Sequence, residues 1–150
     1  MNKFWGHLKT ITHHRHLVMR GCFRMGLIWQ GLTHDLSKYS PTEFLAGVRY
    51  YQGDRSPNTA EREANGYSLA WMHHKGRNRH HFEYWTDLSP KTRTYEPVDM
   101  PVRYLCEMVA DRIAACKTYQ GAAYTDASPL QYLDRANESR LVHPQTMKRL

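Results

Sequence analysis

Apolar residues recur at helical spacing through the first third of the chain, and this feature restricts the fold most strongly. Successive members lie three, four or seven positions apart, so they share one face of a helix. They are Leu8, Ile11, Val18, Cys22, Met25, Trp29 and Leu32. No strand-like alternation of useful length occurs in the sequence. We therefore predict an all-α fold with about six or seven helices.

Prolines and capping residues predict where the remaining helices begin and end. We expect helices over residues 42–51, from the Asn58–Glu61 capping box to about His74, from Asn78 to Trp85, from Asp99–Pro101 to about Gln120, from Ser128–Pro129 onward, and after Pro144. No repeat or linker divides the chain. Residues 1–150 are therefore treated as one domain.

The composition indicates a globular protein with anionic partners. The chain has 150 residues, of which 41% are hydrophobic, enough for one packed core. Its three cysteines form no paired framework, and no apolar run is long enough for a signal peptide or a membrane span, so we expect a cytoplasmic protein without a membrane partner. The net charge of +7 favours phosphorylated small molecules or nucleic acid as partners.

Histidine is the unusual residue type in this composition. Most of the ten histidines fall within residues 7–16 and 73–81. Another, His34, directly precedes Asp35 in the segment GLTHDLSKYSPTEF. Neighbouring side chains diverge by about 100° on a helix, so this pair does not form a salt bridge to itself. A metal ion between the two side chains would let them converge.

Helical phase predicts which histidines of the first helix face the core. His14 lies between Ile11 and Val18 on the apolar face. His16 instead shares a face with Arg20 and Arg24, which are typical of a solvated surface. We therefore expect His14 to be buried and His16 to contact solvent.

Asp111 occupies an otherwise apolar face of the predicted fifth helix. Its neighbours on that face are Tyr104, Met108 and Ala115. A buried carboxylate costs several kcal/mol unless it is paired or coordinated. Asp111 is therefore either a metal ligand or one partner of an ordinary Asp–Arg or Asp–His pair.

The two histidine pairs at 73–74 and 80–81 leave the inward residue of each pair open. The apolar spacing of the predicted third helix favours His74, and that of the fourth favours His81. His73 and His80 are the alternatives.

The ordered set His14 … His34-Asp35 … His74/His81 … Asp111 resembles the HD-domain superfamily of metal-dependent phosphohydrolases. HDLSK looks like the HDxxK pattern that is frequent there. HDLSKYSPTEF, RNRHHFEYW and EMVADRIAA look like blocks of a small, uncharacterised bacterial and phage branch related to HD domains. The resemblance covers Thr12 to Lys117 and implies an HD-like helical bundle that acts on phosphate esters.

That resemblance implies a metal centre and a role for each candidate residue. The expected ligands are His14, His34, Asp35, His74, His81 and Asp111. They suit one or two divalent ions of Fe, Mn, Co, Ni or Zn, which would activate water for attack on phosphorus. Asp35 would also orient that water, and Lys38 and Arg77 would bind the phosphate of a small anionic substrate, the alternative for Lys38 being a solvated lysine at a helix end. Glu43 and Glu83 would hold histidine N–H groups, the alternative for Glu43 being to complement the positive start of the second helix.

Two other functions are compatible with the sequence. The superfamily also includes di-iron oxygenases, whose centre needs about six ligands of the kind found here. A non-enzymatic nucleic-acid-binding protein is the second alternative, and its candidate contacts are Arg77, Arg79, His80 and Trp85. The identity of the substrate and the oligomeric state are not encoded in any recognisable pattern.

Overall fold

The computed structural model describes residues 2–135 and 141–150, and within them the chain is mainly helical. The α-helices are α1 (Lys3–Arg24), α2 (Ile28–Thr33), α3 (Pro41–Arg49), α4 (Pro57–Asn65), α5 (Leu69–Lys75), α6 (Val102–Gln120), α7 (Ser128–Arg135) and α8 (Pro144–Arg149). Short 3-10 turns cover Leu36–Tyr39, Phe82–Tyr84 and Gly121–Ala123. The prediction of a mainly α fold is confirmed, including the helix that ends at Gln120 and the helices that begin at Ser128 and Pro144. None of the described helices is both long and apolar enough to cross a membrane.

A short antiparallel hairpin corrects the all-α prediction. Strand β1 (Thr86–Leu88) pairs with β2 (Tyr95–Pro97), so that Leu88 lies opposite Tyr95. Neither strand contains a fully buried residue. The hairpin therefore lacks the alternation of buried and exposed residues by which a strand is recognised in sequence.

Gly26 ends the first helix earlier than the apolar spacing predicts. Its φ of 73° is left-handed, a conformation that glycine adopts without a Cβ penalty. The chain then restarts as α2. The apolar residues that follow the last residue of α1, namely Met25, Trp29 and Leu32, are exposed. Of this apolar face, only the residues that lie on α1 therefore contribute to the core.

Gly66 likewise divides the predicted third helix into α4 and α5. Its φ is 82°, and its N–H closes the last turn of α4 by donating to the Arg62 carbonyl. Helix α4 also begins earlier than the predicted capping box, after Ser56 and with Pro57 in its first turn. The two glycine breaks add two helices to the predicted set and the fourth predicted helix does not form, so the described residues contain eight α-helices.

No α-helix spans the predicted fourth segment, from Asn78 to Trp85. Asn78 does not cap a helix there, because its side-chain nitrogen donates to the His74 carbonyl at 2.8 Å and to Ser37 Oγ at 2.8 Å. It is therefore tied to the end of α5. The backbone that follows forms a turn and then the 3-10 turn at residues 82–84, so helical phase does not apply to it.

Asp99 anchors the C-terminal helix instead of capping α6 as predicted. Its carboxylate accepts hydrogen bonds from Thr146 Oγ1 at 2.8 Å and from Arg149 Nη2 at 2.6 Å. The same Thr146 oxygen accepts the backbone N–H of Met100 at 2.9 Å. These bonds hold α8 against the chain that leads into α6.

Helices α1 and α6 form the centre of the bundle. They pack closely because small residues meet at the contact, where a Cβ on Gly21 would lie 3.1 Å from the Ala110 Cβ. The buried apolar residues there are Val18, Cys22, Ala110 and Ala114. A second apolar cluster supports the other end of α6 and consists of Phe82, Met100, Leu105, Met108 and Val142. The pair therefore provides a rigid base for side chains that project from either helix.

His7 fills the contact between α1 and α3. Its ring centroid lies 5.3 Å from that of Phe44 and 6.0 Å from that of Tyr51. A Cβ added at Gly47 would overlap the imidazole. Gly47 is therefore required by the close approach of the two helices at this point.

We predict that Gly47→Ala destabilises the protein by about 1–3 kcal/mol, because the new methyl group overpacks against His7. At a position with enough space, the same change in a helix would stabilise by about 0.5–1 kcal/mol. Urea denaturation measures the difference. In a His7→Ala background the substitution should become neutral or stabilising, and an equal loss in both backgrounds would contradict this packing.

Candidate metal centre

Three helices and two turns bring the candidate ligands together next to the α1–α6 pair. The side chains form two groups that share Asp35, and a third group joins His34 and His80 to Glu107; within each group the potential ligand atoms lie within 4.8 Å of one another. The candidate ligands are His14 from α1, His34 and Asp35 from the turn after α2, His74 from α5, His80 and His81 from the loop after α5, and Asp111 from α6.

A left-handed residue makes the adjacent side chains of His34 and Asp35 converge. Helix α2 ends at Thr33, and Asp35 has φ 54° and ψ 25°, a conformation that aspartate tolerates better than most residues. Arg15 stabilises this turn, since its Nε donates to the His34 carbonyl at 3.0 Å. Both side chains are consequently buried, with 2% and 1% of the residues exposed.

The first group contains His14, His34, Asp35 and Asp111. The Nε2 atom of His14 lies 2.9 Å from Asp111 Oδ1 and 3.8 Å from Asp35 Oδ2. The Nε2 atom of His34 lies 3.3 Å from Asp35 Oδ2 and 3.6 Å from Asp111 Oδ1. Two imidazole nitrogens and two carboxylates thus point at one small volume.

The second group contains His74, His80, His81 and the other oxygen of Asp35. Asp35 Oδ1 lies 3.3 Å from the Nε2 atom of His74 and 3.4 Å from that of His80. Asp35 therefore directs one carboxylate oxygen to each group. A single carboxylate that faces two ligand sets is the arrangement expected of a bridging ligand.

Several of these polar atoms are buried without a hydrogen-bond partner in the described part of the chain. They are both oxygens of Asp35 and the Nε2 atoms of His14, His34, His80 and His81. Lys38 Nζ lies 2.6 Å from Asp35 Oδ2 and forms an ion pair with this carboxylate, so the imidazole nitrogens and Asp35 Oδ1 are the atoms left without a partner. Buried polar atoms are nearly always satisfied, so this concentration of orphaned donors and acceptors fits a bound cation.

Glu107 orients histidines of both groups. Its Oε1 lies 2.9 Å from His34 Nδ1 and 3.2 Å from His80 Nδ1. An Nδ1–H donated to a carboxylate leaves Nε2 with the lone pair that a metal needs. The sequence reasoning missed Glu107. Its position four residues before Asp111, on the same face of α6, was the available signal.

Glu43 orients His74 as Glu107 orients His34, and it also contacts His73. Its two oxygens lie 2.8 Å from His74 Nδ1 and 2.6 Å from His73 Nδ1. His74 therefore presents Nε2 to Asp35, whereas His73 stays outside both ligand groups. Glu83, the other predicted partner of a histidine, lies in the wall of the adjoining cavity.

The pKa shifts of Asp35, Asp111 and His14 favour the protonation states that bind metals, whereas Asp35 and Asp111 raise the pKa of His34 in spite of its burial. Burial opposes charge on Asp111, but contacts with His14 and His34 outweigh it and hold the pKa of this carboxyl well below its usual range. Burial is likewise overcome at Asp35, whose pKa His34 and Lys38 lower. Burial lowers the pKa of His14, with a further contribution from Lys38. The carboxylates are thus anionic and His14 is neutral near pH 7.

Helical phase succeeded on α1 and failed in the loop after α5. His14 is buried and His16 is exposed, as the phase predicts. Helical phase favoured His81 over His80, yet His80 is the more deeply buried of the two. His80 belongs to the second group and also to a further group with His34 and Glu107. The reason is that no helix covers these residues, so consecutive histidines both reach the cluster.

A cavity of about 430 Å³ adjoins the two groups. Its wall includes His14, His74, His81 and Asp111 together with the ammonium-bearing Lys38. The cavity gives a ligand access to the cluster.

The structure places Arg77, the other predicted phosphate-binding residue, outside the cavity wall that contains Lys38. Arg77 is exposed and donates to the His73 carbonyl at 3.3 Å. The arginines in the wall are Arg55 and Arg112. Both terminal nitrogens of Arg55 bond the Glu63 carboxylate, at 2.7 and 2.8 Å, whereas Lys38 Nζ lies 2.6 Å from the candidate ligand Asp35.

A family match covers almost the whole chain. Residues 3–150 match the model of DUF5662, described as a family of unknown function. The chain belongs to this family. No curated protein and no solved structure matches it. The chemistry of the site is therefore the basis for a functional proposal.

We predict that the protein binds about two divalent transition-metal ions per chain, one at each group, and that substitutions of single ligands remove the two ions separately or together. His14→Gln should leave one ion, because it removes a ligand from the first group only. Asp35→Ala should leave none and lower the melting temperature by about 5 °C or more, since metal binding adds to folding stability. Elemental analysis of protein purified without a histidine tag measures both effects.

His16→Gln is the matched control, since His16 lies two residues away on the same helix but is exposed. It should keep full metal content and an unchanged melting temperature. A metal-free His16→Gln variant, or an Asp35→Ala variant that retains both ions, would show that the centre is misassigned.

Proposed function

We propose that the chain is a metal-dependent phosphohydrolase of the HD type that cleaves a phosphate ester of a nucleotide or phosphorylated metabolite. The observation that carries the proposal is the position of Asp35 between two groups of histidines beside a cavity. Most of these histidines have a buried Nε2 atom without a hydrogen-bond partner among the described residues. The order of these residues along the chain, which resembles the HD-domain pattern, supports the same assignment.

The donor set favours a borderline divalent ion. Imidazole nitrogens and carboxylate oxygens suit Fe, Mn, Co, Ni or Zn, whereas structural zinc sites are typically rich in thiolates. No cysteine belongs to either ligand group among the described residues. The two groups would hold two ions, with Asp35 as the ligand that both share.

The residues around the centre have separate tasks in hydrolysis. Ions bound there would acidify a water molecule and polarise a phosphoryl oxygen. Glu107 and Glu43 hold the imidazoles in the orientation that keeps their Nε2 atoms directed at the centre. Lys38 lies at the boundary between the cluster and the cavity, where its ammonium group would neutralise a non-bridging phosphate oxygen.

Charge balance favours a phosphate ester as the substrate. Two divalent ions would outweigh the two carboxylates that ligate them, Asp35 and Asp111. When Glu43 and Glu107 behind the imidazoles are included, the ions together with Lys38 still carry more charge than the carboxylates, so the loaded centre would carry a net positive charge. A phosphate group would compensate it more completely than a neutral substrate would.

A di-iron oxygenase is the second candidate, and the number of donors favours it. The two groups offer more histidine and aspartate ligands than a single hydrolytic ion requires. The centre could then hold two iron ions that react with oxygen. The requirement for oxygen separates this candidate from the hydrolase.

The surface geometry gives little support to a nucleic-acid-binding function. Of its four candidate contacts, His80 is buried in the ligand cluster. Trp85 Nε1 donates to the Arg79 carbonyl at 2.7 Å, and Arg79 Nη1 donates to Tyr104 Oη at 3.1 Å. These side chains are engaged within the protein instead of forming a stacking platform for bases.

We predict that the protein loaded with Mn or Co releases phosphate from at least one member of a panel of nucleotides and sugar phosphates under anaerobic conditions. Lys38→Ala should lower kcat/KM by about 10- to 100-fold, because a charge-assisted contact to phosphate is lost. Phosphate release and oxygen consumption are measured in parallel.

Lys9→Ala, at an exposed position on α1, is the control and should retain full activity. Oxygen consumption by the iron-loaded protein, with no phosphate release from the panel, would contradict hydrolysis and favour the oxygenase.

A further inference from the structure

The first part of the chain carries an unbalanced positive charge. Residues 1–34 contain no aspartate or glutamate, and the first acidic residue, Asp35, is buried. The lysines and arginines of this segment are Lys3, Lys9, Arg15, Arg20 and Arg24. Five positive side chains and no negative one leave the segment at +5, compared with +7 for the whole chain. This asymmetry favours an anionic partner for α1 and α2.

Cationic and aromatic side chains share the outward face of α1. At about 100° per residue, five exposed positions fall within an arc of roughly 60°. They are Trp5, Lys9, His16, Arg20 and Phe23. Val18, on the opposite side of the helix, is fully buried. Helix α1 therefore packs on the bundle with one side and leaves the outward face to solvent.

The turn between α1 and α2 exposes large apolar side chains at one end of this face. Between 39% and 73% of each residue is exposed. We call this set the apolar corner: Phe23, Met25, Ile28, Trp29 and Leu32. A Cβ added at Gly31 would lie 2.9 Å from Phe23 Cε1, so the Phe23 ring packs on α2 and connects the corner to the outward face of α1. A Cβ added at Gly26 would meet no atom within 4 Å, so the turn projects into solvent.

Exposed tryptophans lie at both ends of this surface. Trp5 and Trp29 are 63% and 73% exposed, whereas Trp71 and Trp85 are partly buried. The amphipathic indole ring is enriched at the interface between lipid headgroups and acyl chains. The two exposed indoles therefore favour a membrane as the anionic partner.

The aliphatic members of the corner distinguish a membrane from other anionic partners. A single-stranded nucleic acid offers phosphates and stackable bases, and neither pairs with the side chains of Ile28 and Leu32. A bilayer with anionic lipids accepts both parts of the surface, because its headgroups attract Arg20 and Arg24 and its acyl boundary takes up apolar side chains. A second copy of the chain would instead bring like charges together.

We propose that the outward face of α1 and the apolar corner bind the surface of membranes that contain anionic lipids. The corner enters the boundary between headgroups and acyl chains, and Arg20 and Arg24 lie among the headgroups. The expectation of no membrane partner rested on the absence of a spanning segment. A peripheral contact of this kind needs no such segment.

Cosedimentation of the untagged protein with vesicles tests the proposal. Adding about 30 mol% phosphatidylserine to phosphatidylcholine vesicles should raise the partition coefficient at least about tenfold at about 50 mM salt, because the lipid charge attracts the cations. At about 500 mM salt most of this gain should be lost through screening. Equal binding to both kinds of vesicle would overturn the proposal, as would binding to a single-stranded oligonucleotide without any binding to vesicles.

Paired charge variants separate this surface from the net charge of the protein. Arg20→Gln/Arg24→Gln should lower the partition coefficient about 10- to 30-fold, because two cations leave the contact. Lys91→Gln/Arg93→Gln removes two exposed charges from the hairpin loop instead. This control should change the coefficient less than about twofold, since charges outside the contact are screened. Equal losses in the two variants would overturn the assignment to α1.

A matched pair of aromatic substitutions tests the apolar corner. Trp29→Ala should lower the partition coefficient about tenfold, because an indole buried in the interface is lost. Tyr95→Ala, in β2, removes a ring that is 75% exposed and should bind as the wild type does. Both variants should keep the melting temperature of the wild type. Unchanged binding by Trp29→Ala would overturn insertion of the corner.

Brominated lipids provide a measurement that needs no variant. Bromine on acyl carbons close to the headgroup should quench the tryptophan fluorescence of the vesicle-bound wild-type protein, because Trp5 and Trp29 would lie at that depth. Bound protein whose fluorescence is not quenched would contradict insertion.

Discussion

The buried carboxylate of Asp35 is the interaction on which the rest of the site depends. It lies at the junction of both histidine groups, with 1% of the residue exposed, in a left-handed backbone conformation. Such a charge is stable in the interior only when compensating groups surround it. Lys38 and the imidazoles of α1 and α5 provide this compensation, and a pair of divalent ions would provide it more fully.

The surrounding fold makes this arrangement rigid. The α1–α6 pair is packed through small residues, which fixes the relative positions of His14 and Asp111. Glu107, on α6, bridges His34 and His80, which come from separate segments. Glu43, on α3, contacts both His73 and His74 of α5 and so ties these two helices together. Ligands from three helices and two turns are thereby held together by hydrogen bonds as well as by apolar packing, as a preorganised centre requires.

Sequence reasoning located the site best where helices are long. On α1 and α6, regular spacing correctly indicated that His14 and Asp111 face inward. It failed where backbone conformation broke the period: the left-handed Gly26 and Gly66 divided two predicted helices, and the irregular loop let both His80 and His81 reach the cluster. Asp99 was misjudged because its partners in α8 are distant in sequence, and local patterns carry no information about such contacts. Glu107 was missed although it shares a face of α6 with Asp111, because its histidine partners are also distant in sequence.

Anomalous diffraction from crystals of the manganese-loaded protein tests the central role of Asp35 most directly. The account predicts two peaks about 3.5–4 Å apart, one beside each oxygen of the Asp35 carboxylate. The first should be ligated by His14 and Asp111, and the second by His74 and His80. A single ion bound by only one group, or ions that do not contact Asp35, would contradict the bridging role assigned to this carboxylate.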